Sequence, residues 1–576
     1  MWDTYEVNSL NLSDEQRALL TMDIQTLSQE FKNITKAELI NIKLTTVEAL
    51  KQATQDLTDK TTATTALNQW RHKPIEFPEE LWQWVEDEQK VLVKERYARF
   101  SKSRLAELLA EIKAIKADTS TFARQLEEPL FRAQAYANVD AFGHPDPDNA
   151  PTCKGHRMDI KLNAENVRPA KCRPRRVSEM ERCFLKRQVE YMVSKKQLEA
   201  SNSAWAQPIM LVPFPDRIKA FQDEHGELTQ VRMHEDAYKN KVRRLYRLTI
   251  DMRYLNEYTV LERFPLPLIQ DLLDHCRGKF RFTSTDVADA FHTVELGAGS
   301  RHMTAFSTPD GHYQYRVMTM GSKNAANIWA GIVHEVFGDI SLDELIVYQD
   351  DLVNHASASL ANHLRVQQTI YNRCRTKHMI LKPDKTFFNF AAQKILGHVL
   401  SKEGRRVDPS LVEAILNVSP PQDISSVRSL LGLAQVAREY LPRLATELEP
   451  IQALTRKGVN IPATWDPAVH GVAFEKLKVL LTSAPVLRLP DPSKPFVIHC
   501  DACRVGKGLG ALLLQRDEDA VLRPVAYWSR GLNTAERNYS ATGLECTAMH
   551  NCILHWSVYL QNGLPFEVFT DHYALV

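Results

Sequence analysis

Two adjacent carboxylates, Asp350 and Asp351, stand between two short apolar, β-branched runs in Leu345-Ile-Val-Tyr-Gln-Asp-Asp-Leu-Val353. That pattern reads as a hairpin with both acids at its turn. Neighbouring acids repel each other, and hydrophobic strands on either side lower the local dielectric, so the pair costs stability unless cations neutralise it. Mg²⁺ suits such a place, because it takes hard oxygen ligands and completes its shell with water and phosphate. A bare Asp-Asp turn is ordinarily just solvated. A third acid changes that reading: Phe280-Arg-Phe-Thr-Ser-Thr alternates like a half-buried strand and ends in Asp286, after which Val287 to Phe291 is expected to open a helix.

The same arrangement recurs near the end of the chain. Pro495-Phe-Val-Ile-His-Cys-Asp501 is an apolar strand that delivers an acid, and the glycines at 506, 508 and 510 before Ala511-Leu-Leu-Leu514 are consistent with a hairpin. Glu545 lies in a helical run, and Phe566-Glu-Val-Phe-Thr-Asp571 is another strand ending in an acid. Cys500 and Cys503 have Cys-x-x-Cys spacing, but a structural zinc needs four ligands and no second Cys/His pair accompanies them, so no zinc is expected.

What must position these acids is a chain of 576 residues, long enough for three to four domains, with ordinary apolar and charged fractions of 44% and 25%. There is no run of about 18 apolar residues and no basic-then-apolar N-terminus, so neither insertion nor secretion is indicated. Nine cysteines over this length imply reduced thiols and an intracellular protein, cytoplasmic or nuclear. The net charge of +1 hides an asymmetry: residues 1–150 hold 18 basic and 25 acidic residues, the remainder 54 and 46, so the bulk is basic. The acidic first 150 residues read as a helical region, with a long amphipathic helix from Pro78 to Lys116 in which Trp82 and Trp84 pack. The Pro- and Asp-rich string between Asn138 and Lys154 reads as a linker and the first domain boundary.

The stretch Arg247 to Pro267, the block Asp286-Val-Ala-Asp-Ala-Phe291, the block Met318-Thr-Met-Gly-Ser-Lys-Asn324 and Tyr348-Gln-Asp-Asp351 resemble, in order and spacing, the reverse transcriptase of long-terminal-repeat retroelements of the Ty3/gypsy class. The resemblance implies an α+β right-hand polymerase followed by an α/β ribonuclease H-like domain: fingers and palm over 155–405, thumb and connection over 406–494, ribonuclease H over 495–576. It implies RNA-directed DNA polymerase activity on RNA and DNA template-primers, RNA–DNA hybrid and deoxynucleotides. A domesticated or decayed nucleic-acid-binding protein without mobility function is the alternative. Asp286, Asp350 and Asp351 would hold two Mg²⁺, or Mn²⁺, in the polymerase site, and Asp501, Glu545 and Asp571 would serve likewise in the nuclease.

Arg247 matches the family's triphosphate-binding arginine, with its companion lysine near Lys239 or Lys241. Phe291 matches the ring that excludes a ribose 2′-hydroxyl, and Gly321, after Met320, the glycine beneath the incoming base. Lys323 and Tyr348 fall within the same substrate-binding blocks. Asn324-Ala-Ala326 stands where the family has Asn-Ala-Pro. Lys171 to Arg176 offers a phosphate-facing surface, residues 215–242 an expanded loop between fingers strands, Leu396 to Ser401 a primer grip, Leu430 to Leu441 the first thumb helices, and Trp465 to Pro490 the connection. The family's nuclease uses four acids, and the chain stops at Val576 with three, so a truncated module with little or no ribonuclease H activity is expected.

Overall fold

The computed structural model describes residues 87–575 apart from 149–151, 174–175, 227–237, 357–358, 457 and 504–507. The single long helix expected from Pro78 to Lys116 is two within the described part, Asp87–Ala98 and Lys102–Lys113. The break has a local cause. The Ser101 hydroxyl accepts the Arg104 N–H at 3.3 Å and starts the second helix, while Phe100 is buried at the joint. Pro78, Trp82 and Trp84 lie outside the described residues.

The expected boundary between Asn138 and Lys154 does not separate compact units. Lys116–Ala117 pairs in parallel with Phe387 and Phe388 and so forms one edge of a five-stranded sheet, ordered 116–117, 387–390, 281–286, 351–356, 345–348. The helix Phe122–Ala137 is fastened to the same strand. Asn389 donates to Glu127 at 2.6 Å, and Arg124 donates to the Asn389 carbonyl. Part of the expected linker is a short helix, Val139–Phe142, whose Val139, Ala141 and Phe142 are buried. Burying apolar surface on that scale commits the segment to the core. The chain divides instead into one unit running to Pro267 and over Thr283–Phe390, and another made of Leu268–Phe282 with Ala391–Val576. The expected boundaries at 405 and 494 both fall inside the second unit.

In the first unit the strands Ile209–Pro213 and Tyr246–Ile250 pair antiparallel, with Val212 opposite Arg247. The connection between them contains a helix, Pro215–His225, where a loop was expected. Proline at its first turn and Asp216 beside it suit a helix start, and Phe221 buries its ring against His225 and Tyr238.

In the second unit, Ala392–Ile395, His398–Ser401 and Gly404–Val407 form a meander. Its first turn, Leu396-Gly397, has both residues at positive φ, as a two-residue hairpin turn demands. The helix Ile424–Val436 is closed by a reciprocal cap between Asp423 and Ser426. A four-stranded sheet follows, ordered 522–531, 508–516, 496–503, 567–569, with the last pair parallel. The helix Ala541–His555 packs on it and buries Leu544, Ala548 and Cys552.

Candidate active sites

The Asp–Asp hairpin forms from Leu345–Tyr348 and Asp351–Ala356, with Tyr348 opposite Asp351. Gln349 and Asp350 make the turn, and Asp351 opens the second strand. Gln349 sits at φ 54°, a strained value for a residue with a side chain. The turn is held from behind: the indole N–H of Trp329, a fully buried residue of the helix Ala325–Phe337, donates to the Gln349 carbonyl at 3.0 Å.

Asp286 ends the strand Arg281–Asp286, which lies beside Asp351–Ala356 in the sheet. The next residue, Val287, donates its N–H to the Asp350 carbonyl at 3.0 Å, so the strand end and the turn are locked together. No helix opens at Val287. Asp289 adopts a left-handed φ of 47°, and a short 3₁₀ turn, Ala290–Thr293, begins after it.

Asp286 is buried, and its two carboxylate oxygens accept from the ammonium groups of Lys382 and Lys385, each at 2.7 Å. Asp351 is exposed as a residue, yet partial burial of its carboxyl, then the charges of Asp350 and Asp286, hold its pKa above the usual aspartate range. Lys385 and Lys382 offset this only in part. The charges of Asp286 and Asp350 thus act on Asp351 and are only partly offset by the two lysines, an electrostatic setting that favours a further cation.

The other expected residues are placed as follows. Arg247 is exposed on its strand with its guanidinium over the Phe214 ring, 5.3 Å from the centroid. Lys241 is tied to the inserted helix by a 2.7 Å bond to Glu224, and the side chain of Lys239 lies outside the described residues. Phe291 is half-buried against the core of the first unit. Gly321 has φ 83°, and a Cβ there would meet nothing closer than 3.9 Å, so glycine is needed for the backbone angle. Lys323 donates to the Thr259 carbonyl at 2.8 Å, and its own N–H goes to Asn256. That ties the 318–324 block to residues 256–262 and gives Lys323 a structural duty.

In the second unit the strand Phe496–Cys503 delivers Asp501, the helix Ala541–His555 delivers Glu545, and Asp571 lies two residues past the strand Glu567–Phe569. Among the described residues, this is the one group of three or more metal-ligating side chains whose ligand atoms all lie within 4.8 Å of one another. Asp286, Asp350 and Asp351 do not close to that spacing. Glu545 is buried, and Ala502 donates its N–H to Oε1 at 3.1 Å. Oε2 is buried with no hydrogen-bond partner. Burial raises the Glu545 pKa, the Ala502 bond opposes this, and the charges of Asp501 and Asp571 add to the rise. An orphaned buried oxygen among three acids fits a cation as the missing partner.

Two family models match parts of the chain. Residues 235–400 match the family "Reverse transcriptase (RNA-dependent DNA polymerase)", and residues 465–568 match the "RNase H-like domain found in reverse transcriptase". The chain carries a reverse transcriptase domain and an RNase H-like domain, and the curated relatives it matches are Ty3/gypsy-type transposon polyproteins.

The retrovirus-related Pol polyprotein from transposon 297 of Drosophila melanogaster is 31% identical over 388 residues, 67% of this chain and 34% of that protein. The Tf2-3 polyprotein of Schizosaccharomyces pombe is 29% identical over 331 residues, 57% of this chain and 24% of that one. The chain thus spans about a third or less of the curated relatives it matches. A foamy viral protease–reverse transcriptase, solved with an RNA/DNA hybrid, shares the fold with a TM-score of 0.63 at 17% identity, over 82% of this chain and 58% of that one. The same enzyme with double-stranded DNA gives 0.65 at 18%, over 81% and 89%.

Three residues that hold the Asp286–Asp350 cluster escaped the sequence reading. Trp329 is indistinguishable by sequence from a core residue, and its function as an anchor exists only in the hydrogen bond. Lys382 and Lys385 sit three apart around Pro383 in a 3₁₀ turn, a spacing that puts both on one face. That spacing is the signal that was available.

Proposed function

We propose that the chain is an RNA-directed DNA polymerase that extends a primer by nucleotidyl transfer, with Asp286, Asp350 and Asp351 as its metal ligands. The observation that carries this reading is the lock between the Asp286 strand end and the Asp350 turn, which holds acids from two strands together at one end of the sheet.

In the reaction a primer 3′-hydroxyl oxygen forms a bond to the nucleotide's α-phosphorus, the bond to pyrophosphate breaks, and the hydroxyl gives up its proton. Two divalent ions, Mg²⁺ or Mn²⁺, would promote loss of that proton and neutralise the leaving pyrophosphate. The three aspartates hold charge in place for them, and Trp329 fixes the turn that presents Asp350. Lys382 and Lys385 stabilise Asp286 in the free protein and lie where they can pass to phosphate once Asp286 is otherwise engaged. Arg247, exposed on a fingers strand, supplies the planar donor fork that a triphosphate favours. Phe291 walls the sugar. RNA and DNA template-primers and deoxynucleotides are the proposed partners, and among the described residues no helix is long and apolar enough to cross a membrane.

Asp501, Glu545 and Asp571 are proposed to hold divalent ions in the ribonuclease H-like domain. Their spacing and the orphaned Glu545 oxygen support that reading.

Primer extension on an RNA template, with Mg²⁺ and Mn²⁺ compared, tests the function. Extension by deoxynucleotides is expected with either ion, and Phe291→Ala should admit ribonucleotides. If the chain fails to extend under both ions, the reading is wrong. If Phe291→Ala only lowers stability, by the roughly 3 to 5 kcal/mol of a lost core phenyl, the ring is packing and not a sugar wall.

A further inference from the structure

Arg443 does not belong to the ribonuclease H sheet, yet its guanidinium donates to Asp501 Oδ2 at 2.6 Å. It precedes the short helix Leu444–Glu447, and its backbone is fixed with unusual care. Arg443 sits at φ 52° and ψ 23°, a left-handed conformation that an arginine does not adopt freely. Its carbonyl accepts the N–H groups of Thr446 and Glu447 at 3.0 and 3.1 Å. The Ala445 N–H is taken by the Ser529 hydroxyl at 3.0 Å, and Arg438 donates to the Ser529 carbonyl at 2.6 Å.

The strand Gly508–Arg516 makes room for this approach. A Cβ at Gly508 would lie 2.1 Å from the Thr446 hydroxyl, and one at Gly510 would touch the Arg443 Cγ at 3.9 Å. Arg443 is therefore delivered to the carboxylate cluster by a docked segment, although its side chain is itself largely exposed.

We propose that Arg443 is an ion-exchange residue of the nuclease site: it neutralises Asp501 while the site is free of metal, and ion binding releases it to a phosphate of the bound hybrid. The inference rests on the reading of Asp501, Glu545 and Asp571 as metal ligands. A divalent ion on Asp501 neutralises the charge that holds the guanidinium, so the two compete for this carboxylate. Ions at about 2.0 to 2.1 Å from Asp501 place any phosphate oxygen they share within about 4 Å of that carboxylate. That distance lies inside the sweep of an arginine whose Cα does not move. A planar guanidinium is well suited to accept the exchange, since it binds carboxylate and phosphate with the same donor fork.

The test uses the full chain and two variants. Arg443→Asn removes the charge while favouring the left-handed backbone, so the fold is kept. Arg443→Lys keeps the charge. Mn²⁺ binding is followed by electron paramagnetic resonance, and Glu545→Gln identifies which ions belong to the nuclease site. Exposed ion pairs are worth about 0.2 to 1 kcal/mol, so Arg443→Asn should tighten Mn²⁺ at that site by up to about five-fold, with Arg443→Lys staying near wild type.

With Ca²⁺ present, the dependence of hybrid affinity on salt should become shallower by about 0.7 to 0.9 in log–log slope for Arg443→Asn, the loss of one phosphate contact. Unchanged Mn²⁺ affinity in Arg443→Asn, or an unchanged salt slope, overturns the proposal. If Glu545→Gln removes no Mn²⁺, the nuclease-site reading itself fails, a result that no Arg443 variant would produce.

Discussion

Trp329→Phe separates a packing role from a positioning role at the proposed polymerase site. The substitution deletes one N–H···O bond, the 3.0 Å contact that holds the Gln349 carbonyl, and keeps an aromatic ring in a fully buried position. A neutral hydrogen bond contributes about 1 kcal/mol, and the ring volume lost leaves a small cavity worth on the order of 1 kcal/mol more. Stability should therefore fall by about 2 kcal/mol, measured by urea unfolding.

The catalytic loss should be larger than that fall explains. Gln349 is held at φ 54°, so without its anchor the turn has reason to relax toward a negative φ and carry Asp350 with it. Misplacing a reacting group by about 1 Å can cost on the order of 100-fold in rate, so single-turnover extension by fully folded Trp329→Phe should slow by at least about 10-fold. Gln349→Gly is the complement. It removes the backbone strain, and should raise stability by up to about 1 kcal/mol while loosening the same turn. If Trp329→Phe loses its 2 kcal/mol but extends at the wild-type rate, the indole does not position the turn and the reasoning is refuted.

Two further outcomes follow from the second unit. Leu396→Asn places the preferred residue in the Leu396-Gly397 turn, where both positions have positive φ, and should raise the urea midpoint by the equivalent of up to about 1 kcal/mol. A lower midpoint would mean that the leucine side chain contributes more than its backbone costs. His398, bonded to the Tyr440 hydroxyl at 2.6 Å, has its pKa pushed down to about 4 by burial and then by Arg405. The unfolded chain, with a histidine pKa of about 6.5, binds the proton first, so this residue's contribution is present above that value and is lost as pH falls from about 6.5 to about 4. His398→Asn should therefore flatten the loss of stability in that window, and an unaltered pH profile would show that the imidazole is not held neutral.

What the sequence made legible was local. The two apolar, β-branched runs around Asp350 and the aromatic–polar alternation before Asp286 both became strands at the expected places. The helix Pro215–His225 was misread because its charges are mixed and Phe221 is its one buried residue, leaving little apolar periodicity to detect. The break at Ser101 went unread because the apolar stripe running past it suggested one helix.

The strand Lys116–Ala117 has two residues and no pattern, and its partner lies some 270 residues away. No local signal announces such a pairing. The ion pairs of Lys382 and Lys385 with Asp286, and of Arg443 with Asp501, are of the same kind. Both join a motif acid to a cation outside the motif, and both became visible only when the chain was folded.

The central claim is that Asp286, Asp350 and Asp351 hold the ions for nucleotidyl transfer. Its most direct test is primer extension on an RNA template by Asp350→Asn, alongside binding of that variant to the same template-primer. The substitution removes charge at the turn and leaves the basic surface intact. Extension should fall to near background while template-primer affinity stays within about two-fold of wild type. Substantial extension by Asp350→Asn would contradict the account.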